Sequence, residues 1–219
     1  MRGRERLAIL AVAGTFLGLA GTGAVRLGMA GDARHAIESR HALALGGYAT
    51  LGADELAAAR EALSLDEGDP TLHEMVAFGD ANARRDPAGV TAHLKSSIAL
   101  RPVSPYAWAA LEADRYQAGA PVPELEQLLL NAALLGPSEP QVQRTVADFG
   151  LALWKEEGAR TREAVDRLLT AGIGRDPNEF MQIAERRGRL DVACRHLDRL
   201  PRPADTKWTI TCNRLEATS

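Results

Sequence analysis

Apolar side chains recur along this chain at steps of three and four residues, and the runs are cut at intervals by a leucine, a short polar word and a proline. Such spacing puts one apolar stripe on a helix. Ala53 to Leu65, opening after Gly52, carries Leu56, Ala59 and Leu63. Pro70 starts a helix to about Arg85 with Leu72, Met75, Val76 and Phe78, and Asp86-Pro87 starts its partner with Val90, Leu94 and Ile98. Pro105 leads to Tyr106, Trp108 and Leu111, and a Gly-Ala-Pro-Val-Pro turn at 119–123 precedes Leu125, Leu128, Leu129 and Ala132. From Pro140 the stripe is Val142, Val146, Phe149, Leu151 and Trp154; it turns around Glu157-Gly158 and resumes with Val165, Leu168 and Leu169. The last unit, Asn178 to Leu200, is divided at Gly188, with Phe180, Ile183 and Ala184 before it and Leu190, Val192, Ala193 and Leu197 after it. Ala33 to Leu45 is a weaker helical pattern, ended by Gly46-Gly47.

The prolines keep a register. Pro70, Pro105 and Pro140 stand 35 residues apart, Leu65, Leu100 and Leu135 keep the same interval, and Asp69, Ser104 and Glu139 precede each proline. A helix ends after the leucine, a polar side chain can cap the next, and proline is tolerated at the first helical position. A fourth unit begins at Asp176-Pro177, 37 residues on. Paired helices at a period near 34 predict a helical solenoid, whose units bury their apolar faces only by stacking on neighbours. The fold class is therefore all-α, a right-handed stack of antiparallel helix pairs. A stack needs a cover over its last apolar face, and residues 201–219, with Trp208 and Ile210 before Cys212, are placed to fold back as one.

The N-terminus has a different pattern. Leu7 to Val25 is nineteen uncharged residues, preceded by Arg2, Arg4 and Arg6. At about 1.5 Å per residue this run approaches the roughly 30 Å of a bilayer core. The arginines predict a single transmembrane helix with a cytoplasmic N-terminus, Arg26 reaching to the far interface, and everything beyond it exported. A cleaved signal peptide ending near Gly28-Met29-Ala30 is the alternative. Gly14 and Gly18 form a GxxxG step on which a second membrane helix could pack, although glycine is common in such anchors anyway. The expected organisation is an anchor at 1–30, a repeat domain at 31–200 and a capping tail at 201–219.

Composition changes this picture in two respects. The formal charge is −3 overall, and beyond Ala30 there are 22 basic against 28 acidic residues, or −6, which excludes nucleic acid as the expected partner. The two cysteines, Cys194 and Cys212, have seventeen residues between them. In an oxidising compartment they make one bridge, and closing such a loop stabilises by about 3 kcal/mol. Two unpaired thiols are the alternative for a chain that stays in the cytosol.

Candidate chemistry is sparse. The five histidines, His35, His41, His73, His93 and His196, show no metal-ligand spacing and are expected at the solvated surface. There is no phosphate loop and no nucleophile elbow. Glu156-Glu157 are adjacent, so they point to different faces and form no paired-carboxylate site by themselves. Tyr106, Trp108, Trp154 and Trp208 have the amphipathic surface that stacks on sugars, yet helix packing is the better account of their positions. Arg186, Arg187 and Arg189 suit either an acidic ligand or a solvated turn at a helix end. No cofactor and no metal are expected, and the chain is not expected to be an enzyme.

The junction Lys95 to Arg101, Pro102, then Pro105-Tyr106-Ala107-Trp108-Ala109-Ala110-Leu111 resembles the tetratricopeptide repeat, with Trp and Leu at the fourth and seventh positions. The small eighth residue of that family is Ala77 and Ala147 here, but Glu112 in this unit. Gly136 to Gln143, Ala147 to Trp154 and Arg187 to Cys194 are similar in texture to the VpsP-type proteins of bacterial exopolysaccharide loci, over residues 90–195 and the anchor. That resemblance implies an accessory in polysaccharide biosynthesis, without catalytic residues to carry over. The expectation is a periplasmic adaptor at the bacterial inner membrane that binds proteins of a polysaccharide synthesis or export complex. A secretion-associated chaperone is the alternative, and polysaccharide itself a further ligand class. The inward positions of the first helices, Thr71, Glu74, Phe78 and Asn82, then Tyr106, Ala109 and Ala113, are the expected contact face.

Overall fold

The computed structural model describes residues 21–36, 51–83, 86–197 and 206–217, and in these it is helical without strands. The chain forms two compact units, Met1–Asp86 and Pro87–Ser219. The division falls inside what the sequence pairs as one repeat.

In the first unit, residues 21–36 form α1, Ala53–Leu65 form α2 and Pro70–Asn82 form α3. Gly52 precedes α2, and the Glu55 carboxylate reaches back to accept from its amide at 3.0 Å. Asp69 caps α3 as its position predicts, accepting from Thr71 N at 2.8 Å and Leu72 N at 3.3 Å. Ala30 of α1, Ala59, Ala62 and Leu63 of α2, and Leu72, Met75 and Val76 of α3 share one core. Gly79 lets α3 approach α2, because a Cβ there would lie 2.7 Å from Leu56 Cδ1. Arg26, expected to reach toward a membrane interface, instead donates to the Ser64 carbonyl at 3.1 Å. That carbonyl lies in the last turn of α2, where unpaired C=O groups attract a cation.

The second unit continues with α4 (Pro87–Leu100), α5 (Pro105–Gln117), α6 (Val122–Leu135), α7 (Pro140–Leu153), α8 (Ala159–Arg175), α9 (Pro177–Arg186), α10 (Leu190–Cys194) and α11 (Thr206–Glu216). Each short connection makes sequence neighbours antiparallel partners. Two layers result: α5, α7 and α9 pack in succession, and α6 packs on α8 behind them. Ala109, Leu129, Ala132, Val142, Val146, Val165 and Leu168 fill the space between α5, α6, α7 and α8. A second cluster runs from Leu151 of α7 through Leu169 and Ile173 of α8 to Phe180, Met181 and Ile183 of α9 and Val192 of α10.

Within the tail, Thr206–Glu216 is a helix. Trp208 of α11 is 2% exposed, packs into that second cluster and donates its indole N–H to Asn178 Oδ1 at 2.9 Å. Cys194 and Cys212 are bridged, with Cα atoms 5.5 Å apart, which joins α10 to α11. Ile210, grouped with Trp208 by the sequence, is exposed. Beyond Gly188 the α-helix is Leu190–Cys194, which stops short of Leu197, and residues 198–200 of the expected helix lie outside the described residues.

Among the described residues no helix is long and apolar enough to cross a membrane. Residues 7–20 of the expected span, with Gly14 and Gly18, lie outside the described residues, as do His41 and Gly46-Gly47.

Candidate functional site

Counting from each helix-opening proline, the fourth residue performs the same task three times. His73 Nε2 lies 3.0 Å from the Glu67 carbonyl, Trp108 Nε1 donates to Pro102 O at 2.8 Å, and Gln143 Nε2 donates to Pro137 O at 2.7 Å. Because the acceptor is a carbonyl, the His73 nitrogen carries the proton. Each bond spans six residues and fastens the turn before the helix onto the helix itself. In the fourth unit this position is Phe180, whose ring lies against Gly172 instead.

The eighth position is a packing position. Ala77, Ala147 and Ala184 are all fully buried there. On α5 the same place holds Glu112, which is 1% exposed. Its Oε1 has no hydrogen-bond donor. Burial pushes the Glu112 carboxyl up to about 9, and the nearby Glu157 and Asp148 charges add to this while Arg187 opposes it. Glu157, in the turn between α7 and α8, is 3% exposed and neither of its oxygens has a donor. Burial raises it to about 8, with a further push from Glu126 and an opposing pull from Arg162.

Beside this pair lies a satisfied ionic group. Arg187, just past α9, makes a two-pronged bond to Asp148 of α7, at 2.9 Å through Nε and 2.6 Å through Nη2. The bonds to Asp148 hold the guanidinium firmly charged. Its Cζ also lies 5.9 Å from the Tyr116 ring centroid and 5.6 Å from that of Phe149, and those rings are themselves 4.9 Å apart. Residues of α5, α7 and α9 thus meet in one strip of aromatic, acidic and basic groups.

Several expected positions are corrected. Glu74 and Ala109 are buried, so neither is open to a partner. Ala109 is taken up by the core between α5 and α7. Thr71, Phe78, Tyr106 and Ala113 are half-buried and Asn82 is exposed. Tyr106 gives its hydroxyl to Glu139 at 2.5 Å, and burial together with this acceptor pushes its pKa up to about 12. The histidines are not all solvated. His73 and His196 are buried, the latter between Asp166 Oδ1 at 3.0 Å from Nε2 and Thr170 Oγ1 at 3.1 Å from Nδ1. Nor is the arginine cluster a solvated turn throughout, since Arg187 is drawn inward by Asp148. Trp108 and Trp154 pack against the core as expected, each half-buried.

Glu112, noted only as a departure from the repeat, and Glu157, noted only as one of an adjacent pair, are buried acids that the sequence did not lead one to expect. The signal was present for Glu112: a carboxylate stands where the neighbouring repeats keep alanine for close packing. Among the described residues no three His, Cys, Asp or Glu side chains gather as metal ligands. No protein-family model and no curated protein sequence matches this chain.

Proposed function

We propose that the chain is a helical-repeat adaptor of tetratricopeptide type, a right-handed solenoid that acts by contact. Residues 7–25 hold it at the bacterial inner membrane with the repeats in the periplasm, where it supports exopolysaccharide synthesis or export by binding proteins of that machinery. The observation that carries the reading is the strip built from three successive first helices, Tyr116 of α5, Asp148 and Phe149 of α7 and Arg187 after α9. Extended strips of this kind suit a protein segment, with a few aromatic and arginine positions carrying most of the binding energy. Val25, the last residue of the run at 7–25, and Leu27 and Met29 just beyond it are exposed apolar residues of α1, which supports the anchor.

Arg186 is exposed and lies 4.0 Å from Asp148 of the strip, and Ala113 is a half-buried position of α5, three residues before Tyr116, that belongs to none of the buried core clusters. Ala113→Arg and Arg186→Glu should lower polymer yield and co-purification of synthesis or export proteins together, while cooperative melting is kept. An Asp, Glu or His to Ala change that abolishes polymer modification in vitro, with every partner still bound, would show the adaptor reading to be wrong.

A further inference from the structure

Glu112 and Glu157 have three carboxylate oxygens that are buried and without donors. The donors that might have served them are engaged elsewhere. The Glu156 and Glu157 amides both go to the Leu153 carbonyl, at 2.8 and 3.1 Å, and the Gly158 amide goes to Glu126. Arg187 is committed to Asp148 through both prongs. The charged groups that face Glu112 are Glu157, Asp148 and Arg187, and those that face Glu157 are Glu126 and Arg162. Farther along α5, Asp114 takes Thr91 of α4, and Arg115 pairs with Glu124 of α6 at 2.7 Å. Glu112 thus faces two acids and an arginine already committed to Asp148, while Glu157 faces Glu126 with only the exposed Arg162 to offset it. A buried carboxylate in that setting is costly, and a neutral carboxylic acid is not.

We infer that Glu112 and Glu157 form a proton-dependent latch, which keeps the turn joining α7 to α8 seated while both side chains are protonated and releases it when they ionise. The inference needs no partner and stands independently of what the chain binds.

The direction follows from linkage. In the released turn the Glu157 carboxyl returns toward its ordinary value of 4.5, whereas in the seated turn it is held near 8. Between these values the released form has given up a proton that the seated form keeps, so rising pH favours release. The latch is complete below the ordinary value, weakens through the neutral range and gains nothing further from this group above about 8. One proton of difference corresponds to about a tenfold change in the opening equilibrium per pH unit.

Lys155 sits exposed in the turn, so tryptic cleavage after it reports opening. The full chain and an E112Q/E157Q variant would be digested at pH 6 and pH 8, with the site identified by mass spectrometry and rates divided by those for a small peptide substrate. The wild-type rate should rise by about tenfold or more between the two, since the pH interval covers two units of the window. The variant should stay flat. A shared profile overturns the latch, and so does a rise that accompanies loss of total helical signal. Glu112→Ala, which restores the alanine found at the same place on α3, α7 and α9, is the second variant in case the glutamines impair folding. It should have a shallower profile than wild type, and an unchanged one again overturns the proposal.

Discussion

Residue by residue, the repeated work is done by one position whose chemistry varies and whose geometry does not. His73, Trp108 and Gln143 have in common only an N–H at the right reach, and each closes the same turn. The consequence of removing it depends on burial. Trp108→Phe deletes the donor at a half-buried site where water can reach Pro102 O, and should cost about 1 kcal/mol in urea denaturation. Gln143 is 1% exposed and also accepts from Arg175 at 2.9 Å, so Gln143→Leu strands two partners and should cost about 2 kcal/mol or more. Equal losses would show that the tie is incidental. Nothing in the local pattern announced this role, because hydrophobic periodicity sees Trp as core and His or Gln as surface. The same blindness applies to Asp69, Ser104 and Glu139, which look alike in front of their prolines. Asp69 caps its helix, while Ser104 and Glu139 make no side-chain cap and Glu139 takes the Tyr106 hydroxyl instead. A choice between a local amide and a distant phenol is settled by tertiary packing.

Among elements, the helices themselves were largely legible. Five of them, α3, α4, α5, α7 and α9, open at prolines, α9 at Pro177, one residue before the Asn178 from which the sequence draws the last unit, and α2 keeps the bounds Ala53–Leu65. What the sequence left unread is how closely they approach, which glycine decides. A Cβ on Gly172 would lie 2.3 Å from the ring of Phe180, which is 2% exposed and has no room to yield. Gly172→Ala should therefore lower stability by about 1–3 kcal/mol. Gly174, two residues on in the same helix, has nothing within 4 Å of that position. Gly174→Ala should be neutral or stabilising by up to about 1 kcal/mol from helix propensity. Thermal melts of the two single variants compare like with like, and a Gly172→Ala protein as stable as wild type would mean that α8 and α9 separate at little cost. The candidate site was less legible than the helices for a related reason. Glu112 violates a packing pattern that only the repeat register reveals, and Glu157 is inconspicuous until the turn folds it inward.

For the molecule as a whole, the informative feature is how the second unit is closed. Two cysteines with no neighbouring motif proved to be one bridge, and its position explains why a single crosslink matters: it holds α11 over apolar side chains contributed by α7 to α10. Cys212→Ser should cost about 3 kcal/mol and lower the melting temperature by roughly 10 °C, because the loop it closes no longer restrains the unfolded chain. Two titratable thiols in the denatured, air-isolated protein would contradict the bridge. Closure also has a temporal side. Trp208 and Cys212 follow every other member of their cluster in chain order, whereas the core between α5 and α8 is complete once Leu168 has been made. During synthesis, then, the α9 and α10 end of that cluster waits without Trp208 and Cys212 until α11 emerges, and the newborn chain passes through a stage with a folded middle and a sticky edge. Whatever chaperone or translocation step handles this protein has that edge to shield, and a premature stop anywhere between α10 and α11 leaves it permanently uncovered.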